Sequence, residues 1–197
     1  MEIFLDIDGV ILDFESSFIA HIRNNHIPEL PKDYLPKSWE MDEEFSQIRI
    51  KEVWDEFVSI DSFSELKLLV DQTSFNQLSS QYALHLITNI PKSLFSKRVK
   101  NLKSHALNFT SLEIGGHFNF GDEDYPVKSV VINKIRDHRK KIVFLDDHPT
   151  NCYDVKSRFP DSIVFLMSRP HNQNQKDHHW IRVANWMDFL EKLKEIS

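Results

Sequence analysis

Four runs of strand length that are apolar almost throughout constrain this chain more than any other feature. They cover residues 3–7 (IFLDI), 82–88 (YALHLIT), 141–145 (KIVFL) and 162–167 (SIVFLM). A strand with one wet face alternates polar and apolar residues, whereas a strand covered by helices on both faces reads as a continuous apolar run. Residues 109–114 form a fifth, weaker candidate. Between the runs lie stretches with helical spacing and proline at or before their first turn: 91–104, 127–138 after Pro126, and 150–159 after Pro149. A last helix is expected over 186–196, with Phe189, Leu190, Leu193 and Ile196 on one face. Strands alternating with helices imply right-handed crossovers, so the expected fold class is α/β: a doubly wound, Rossmann-like parallel sheet.

Residues 14–80 break that rhythm. Helices are expected over 14–25 and 42–60, a proline-rich loop over 26–40, and a further helix ending near residue 80. The expected organisation is a core of residues 1–13 and 81–197, with a small, mainly helical insert over 14–80 after the first strand. With 197 residues the chain is long enough for one buried core plus such an insert.

Ligands of open α/β sheets collect at the carboxyl ends of the strands. The first strand ends in Asp6-Ile7-Asp8-Gly9, the second in Thr88-Asn89 and the third clear one in Asp146-Asp147, while Lys128 opens the helix after the weak strand. Alternate residues share a face, so Asp6 and Asp8 point into one site while Ile7 packs away. Crowded carboxylates repel one another, and a hard dication relieves that repulsion; oxygen donors favour Mg2+ over zinc. Thr88, Asn89 and Lys128 offer hydroxyl, amide and ammonium donors to a phosphoryl group, whose charge builds on its equatorial oxygens. An ionised Asp6 beside a metal can attack such a group, and Asp8 can serve as acid and then base. Asn89 is equally suited to capping the following helix. Lys134 is the competitor of Lys128 on the same helix, and Asp13 stands where a helix begins.

These residues resemble the motif set of the haloacid dehalogenase (HAD) superfamily. Asp6-Ile7-Asp8-Gly9-Val10 is similar to its first motif, Leu86-Ile87-Thr88-Asn89 to the second, Lys128 to the isolated lysine of the third, and Val143 to Asp147 to the apolar strand ending in an acidic pair. The resemblance implies a magnesium-dependent phosphoric monoester hydrolase with Asp6 and Asp8 as catalytic pair. Its metal would be held by the Asp6 side chain, the Asp8 backbone carbonyl and one of Asp146 or Asp147, under a helical cap formed by the insert. Residues 166–172 (LMSRPHN) are similar to a stretch in the 5'(3')-deoxyribonucleotidase-like branch, although His171 stands where an aromatic residue is usual. The expected substrate is a small phosphorylated metabolite, with a nucleoside monophosphate among the candidates. A HAD phosphomutase and a non-catalytic HAD-like binding module are the alternatives; a dehalogenase is disfavoured because Asp8 is present.

Composition narrows the partners. The net charge of -6 argues against a nucleic-acid polymer as ligand, which a cationic face would serve. No apolar run reaches the ~20 residues that span a bilayer, and the N-terminus reads as no signal peptide. With Cys152 as its one cysteine the chain forms no intrachain disulfide, and a reducing, cytoplasmic setting is expected, as monomer or homodimer. Cys152 itself is expected to be a small buried residue. The basic residues of 92–103 (KSLFSKRVKNLK) are expected on the solvated face of an amphipathic helix. Trp39 and Trp54 are expected in the packing of the insert, with stacking on a ligand ring as the alternative. His178 and His179 lack metal-ligand spacing, and no histidine metal site is expected among the ten histidines.

Overall fold

The computed structural model describes residues 1–196 except 39–40, 42–43, 47, 119–124 and 177–179, together with the backbone but not the side chains of 61–62. Expectations for Trp39, His178 and His179 therefore fall outside the described residues. Six strands form one parallel sheet: β1 (Glu2–Leu5), β2 (Ala83–Thr88), β3 (Ser111–Ile114), β4 (Ile142–Asp146), β5 (Ile163–Met167) and β6 (Ile181–Val183). Their order is β3-β2-β1-β4-β5-β6. The five anticipated strands are present. β6 was not anticipated, because IRV is short, carries a cation and pairs only at the sheet edge.

Successive side chains of a strand enter opposite faces, and each face has its own core. Ile3, Leu5, Val143, Leu145, Phe165 and Met167 pack on one side with Phe189 and Leu193 of α7 (Trp186–Glu195). Phe4, Phe144, Val164 and Leu166 pack on the other, against Val131 and Ile132 of α5 (Lys128–Ile135) and Val155 of α6 (Pro149–Arg158). Cys152 is buried in that second core, as expected. Each such aliphatic or aromatic side chain contributes about 1.5–3 kcal/mol by leaving water.

The chain leaves the sheet after β1 and returns beside its own exit. Asp13 N donates to Lys67 O at 2.9 Å, Leu69 N donates to Ile11 O at 2.8 Å, and Leu12 and Leu68 form an antiparallel bridge. Between these points lie α1 (Phe14–Asn25) and α2 (Ile50–Ser59). Asp13 caps α1 by accepting from Ser16 N at 3.1 Å, the helix-start role expected of it. The helix expected over 42–60 is shorter: it starts at Ile50, and residues 44–46 are turns. Glu44 explains this locally, because its carboxylate accepts from Tyr34 Oη at 2.6 Å and from the amides of Lys37 and Ser38 at 2.8 and 3.0 Å. That carboxylate ties the segment to the preceding loop.

The next helix, α3 (Gln72–Gln81), is capped by Asp71 and packs on the sheet side. Phe75 stacks on Trp186 with ring centroids 5.8 Å apart, and Trp186 Nε1 donates to Ser74 Oγ at 2.9 Å. A short 3-10 turn, Lys92–Leu94, leads into α4 (Phe95–Ser104). No described helix is long and apolar enough to cross a membrane.

Candidate active site

The strand order reverses at β1, whose neighbours are β2 on one side and β4 on the other. At that switch point Leu5 pairs with Leu145, and Asp6 N donates to Leu145 O at 2.9 Å, so Asp6 and Asp146 emerge side by side. Both are buried, as is Asp147. One carboxylate oxygen from each of Asp6, Asp146 and Asp147 lies within 4.8 Å of the other two. Lys128, fully buried at the first turn of α5, bridges this group: Nζ donates to Asp6 Oδ1 and, at 2.7 Å, to Asp146 Oδ2. Lys134 is exposed on the same helix, so Lys128 is the lysine at the site. Asp146 also accepts from His148 N at 2.7 Å and from the Asn151 amide at 3.1 and 3.2 Å.

Burial pushes the Asp6 carboxyl well above its ordinary range; Lys128 opposes this, and the charges of Asp146 and Asp147 reinforce it. Burial also raises Asp147 to about 7, against the pull of His171. Lys128 is held above its ordinary value by Asp146 and Asp6, although its own burial acts the other way. Carboxylates in this state carry unrelieved repulsion, and an all-oxygen donor set suits a hard dication. The residues present therefore fit the expected metal. Gly9 is part of the fit: its φ is +78°, and an added Cβ would stand 2.1 Å from Asp147 Oδ2. Only glycine allows both that backbone and that approach.

Asp8 lies on the same cavity wall, but its side chain does not join the carboxylate group. Nη2 of Arg98 donates to both of its oxygens at 2.7 Å. Arg98 stands on α4, is fully buried, and lays its guanidinium over the Phe63 ring, 4.8 Å from the centroid. The expectation that the cations of 92–103 are solvated thus fails at Arg98. It holds at Lys92, Lys100 and Lys103, which are exposed. Lys97 is half-buried and donates to Val58 O and Ser59 O at 2.8 and 2.7 Å.

Thr88 ends β2 in full burial; its hydroxyl has no hydrogen-bond partner among the described residues, and it does not reach the cavity wall. Asn89 does line the wall. It caps no helix: its amide donates to Phe118 O at 2.9 Å and accepts from Phe118 N at 3.0 Å. The RPHN stretch braces the floor. Arg169 Nε donates to Gly9 O at 2.6 Å, and the Asn172 amide donates to Asp147 O at 2.7 Å and Met167 O at 2.8 Å. His171 lies between Glu15, 3.4 Å away, and the Asp147 carboxylate at 3.6 Å.

Above the floor opens a cavity of about 650 Å3. Its far walls come from the segment between the exit and return: Phe14 and Phe18 of α1, Ile50 and Trp54 of α2, Met41 from a loop and Phe63 from a 3-10 turn over Asp61–Glu65. His117 and His148 stack at 3.8 Å on one flank. Burial and the adjacent His117 push His148 down to about 3, so its ring is neutral near neutral pH.

No family model and no curated protein matches this chain. Solved structures do, along nearly the whole length. A candidate beta-phosphoglucomutase from Thermotoga maritima is similar with a TM-score of 0.64 and 17% identity, covering 100% of both chains. A haloacid dehalogenase-like family hydrolase from Streptococcus pneumoniae reaches a TM-score of 0.60 at 15% identity, covering 100% of this chain and 98% of that one. A candidate HAD hydrolase from Bacillus subtilis, solved bound to magnesium, has a TM-score of 0.63 at 13% identity, with 98% of each chain covered. The chain thus has the α/β Rossmann-like HAD fold, and two of these three neighbours are HAD hydrolases.

Proposed function

We propose that this protein is a magnesium-dependent phosphatase that hydrolyses a phosphate monoester through an aspartyl-phosphate on Asp6. The observation that carries this reading is the convergence of Asp6, Asp146, Asp147 and Lys128 on the floor of one cavity at the switch point of the sheet. Asp6, Asp146 and Asp147 would hold the magnesium ion, which supplies charge neutralisation for an anionic nucleophile meeting an anionic phosphate.

The protein's own groups supply the rest. Asp6 attacks phosphorus, the bond to the leaving oxygen breaks, and Asp8 gives that oxygen a proton. Asp8 then takes a proton from water as the water oxygen bonds to phosphorus; the aspartyl bond breaks, releasing phosphate and the Asp6 carboxylate. Lys128 keeps Asp6 in place and meets the phosphoryl oxygens, with Asn89 on the wall and Thr88 behind it. The Asp8 carboxylate lies on Arg98, so the acid step requires it to turn toward the leaving oxygen.

The walls of the cavity favour a particular leaving group. The segment over 14–66, shorter than the 14–80 expected because the chain rejoins its exit at Lys67, acts as a cap that presents aromatic and aliphatic side chains, and the volume far exceeds that of phosphate alone. A monoester with a flat or apolar body fits better than a short polar one, and nucleoside monophosphates belong to that class.

The test is phosphate release from a panel holding nucleoside monophosphates, aryl phosphates, sugar phosphates and phosphoglycolate. It is run with magnesium, with chelator, and with Asp6→Asn. Magnesium-dependent release that drops by at least about a thousandfold in Asp6→Asn supports the reading, given the weight of a covalent nucleophile. Release that survives Asp6→Asn, or no release from any member, sinks it.

A further inference from the structure

Away from the acidic floor, two histidines and a glutamate converge between α1 and α2. His21 is buried near the end of α1, His26 follows that helix, and Glu56 stands on α2. Nε2 of His26 lies 3.1 Å from Glu56 Oε2, and Nε2 of His21 lies 3.4 Å from Oε1 of the same carboxylate. One donor atom from each residue lies within 4.8 Å of the other two. In a tetrahedral site with bonds of about 2.0–2.1 Å, neighbouring donors stand roughly 3.3 Å apart, close to the two histidine–carboxylate distances.

A second observation points to a ligand. His21 Nε2 has no hydrogen-bond partner among the described residues, although only 6% of its side chain is exposed. A buried polar nitrogen left in that state costs free energy that a bound cation would recover. Packing against Phe57, with ring centroids 5.4 Å apart, helps to keep this ring from water. Burial lowers its pKa, Glu56 opposes that shift and His26 adds to it. A neutral imidazole is the form that binds metal.

We propose that His21, His26 and Glu56 form a second metal site, which takes a borderline transition-metal dication such as zinc with solvent as fourth ligand. Two nitrogens and one carboxylate disfavour magnesium, so the site is chemically distinct from the all-oxygen floor. The Asn25 amide nitrogen stands 3.0 Å from His21 Nδ1. Binding metal through Nε2 places the His21 proton on Nδ1, so the Asn25 amide, which also donates to His21 O at 3.0 Å, has to turn as the ion enters. The ion would pin α1 to α2, the two helices that line the cavity.

The experiment uses the full chain and does not depend on phosphatase activity. Cobalt(II) is titrated in excess magnesium, and visible absorption is followed in wild type, His26→Gln, Glu56→Gln and Asp6→Asn. The substituted cap residues are partly exposed, and circular dichroism confirms that each variant is folded. The expected result is one equivalent of cobalt with the intense bands of a four-coordinate site, displaced by zinc. Affinity in His26→Gln and Glu56→Gln should fall by more than about tenfold, since disturbing even an outer partner has that effect. Weak six-coordinate absorption in wild type, equal binding in the two cap variants, or a signal that disappears only with Asp6→Asn would each overturn the proposal.

Discussion

A guanidinium without solvent contact is costly to bury unless a carboxylate answers it, and Asp8 answers Arg98 with both oxygens. Arg98→Met keeps much of the volume but leaves Asp8 without its partner and removes the contact with Phe63. Unfolding free energy should fall by about 3 kcal/mol, the usual loss when one half of a buried pair is removed. Under the phosphatase reading, turnover per folded molecule should be retained, because Asp8 must leave Arg98 to reach the leaving oxygen. Urea unfolding and phosphate release measure the two effects, and an unchanged midpoint would show that the pair contributes nothing. The helix register held a signal for Arg98: it follows Leu94 by one turn and precedes Leu102 by one turn, on the buried face. Its charge masked that signal, since a cation in a basic run is read as solvated. Asp6, Asp146, Asp147 and Lys128 were legible because each sits at a strand end or helix start that the apolar pattern locates. The His21, His26 and Glu56 group was not, because its donors come from the end of α1 and from α2, whose approach no local spacing reveals.

At the level of elements, the turn after β1 is the most constrained. Gly9→Ala demands a left-handed backbone from a residue with a Cβ, at roughly 1–2 kcal/mol, and drives that Cβ into the Asp147 carboxylate. The variant should melt at a lower temperature and bind magnesium more weakly than wild type, as calorimetry would show. Wild-type affinity in Gly9→Ala would mean that the carboxylate can move aside freely. The buried strands were readable as continuous apolar runs, since both faces of the sheet are covered. β6 lacks that signature because an edge strand of IRV has little to bury. The shortened α2 shows the other failure: the apolar spacing of 42–60 is helical, yet one side-chain carboxylate, Glu44, ties the turns at 44–46 to the preceding loop. Tertiary hydrogen bonds override periodicity where the helix would be marginal alone.

For the whole molecule, the acidic floor links metal binding to pH. Asp147 titrates at about 7 in the folded protein without metal, against about 3.9 in an unfolded chain. The folded state therefore holds that proton more tightly. Its contribution to stability is complete below about pH 4 and is lost as pH rises toward 7. A dication replaces the proton, so the rise in melting temperature on adding magnesium should be larger at pH 8 than at pH 6. Thermal unfolding with magnesium or chelator at both values checks this, and a larger shift at pH 6 would contradict the assignment of Asp147.

The side-by-side passage at Leu12 and Leu68 has a consequence for how such a chain can change over time. Departure and re-entry share one bridge made by two hydrogen bonds, so the ends of the excursion meet at one place whatever lies between them. Closing a longer loop there adds only about 0.6 kcal/mol per doubling of its length. The junction is a socket: segments of different size and wall chemistry can be exchanged on it while the four residues of the floor keep their places.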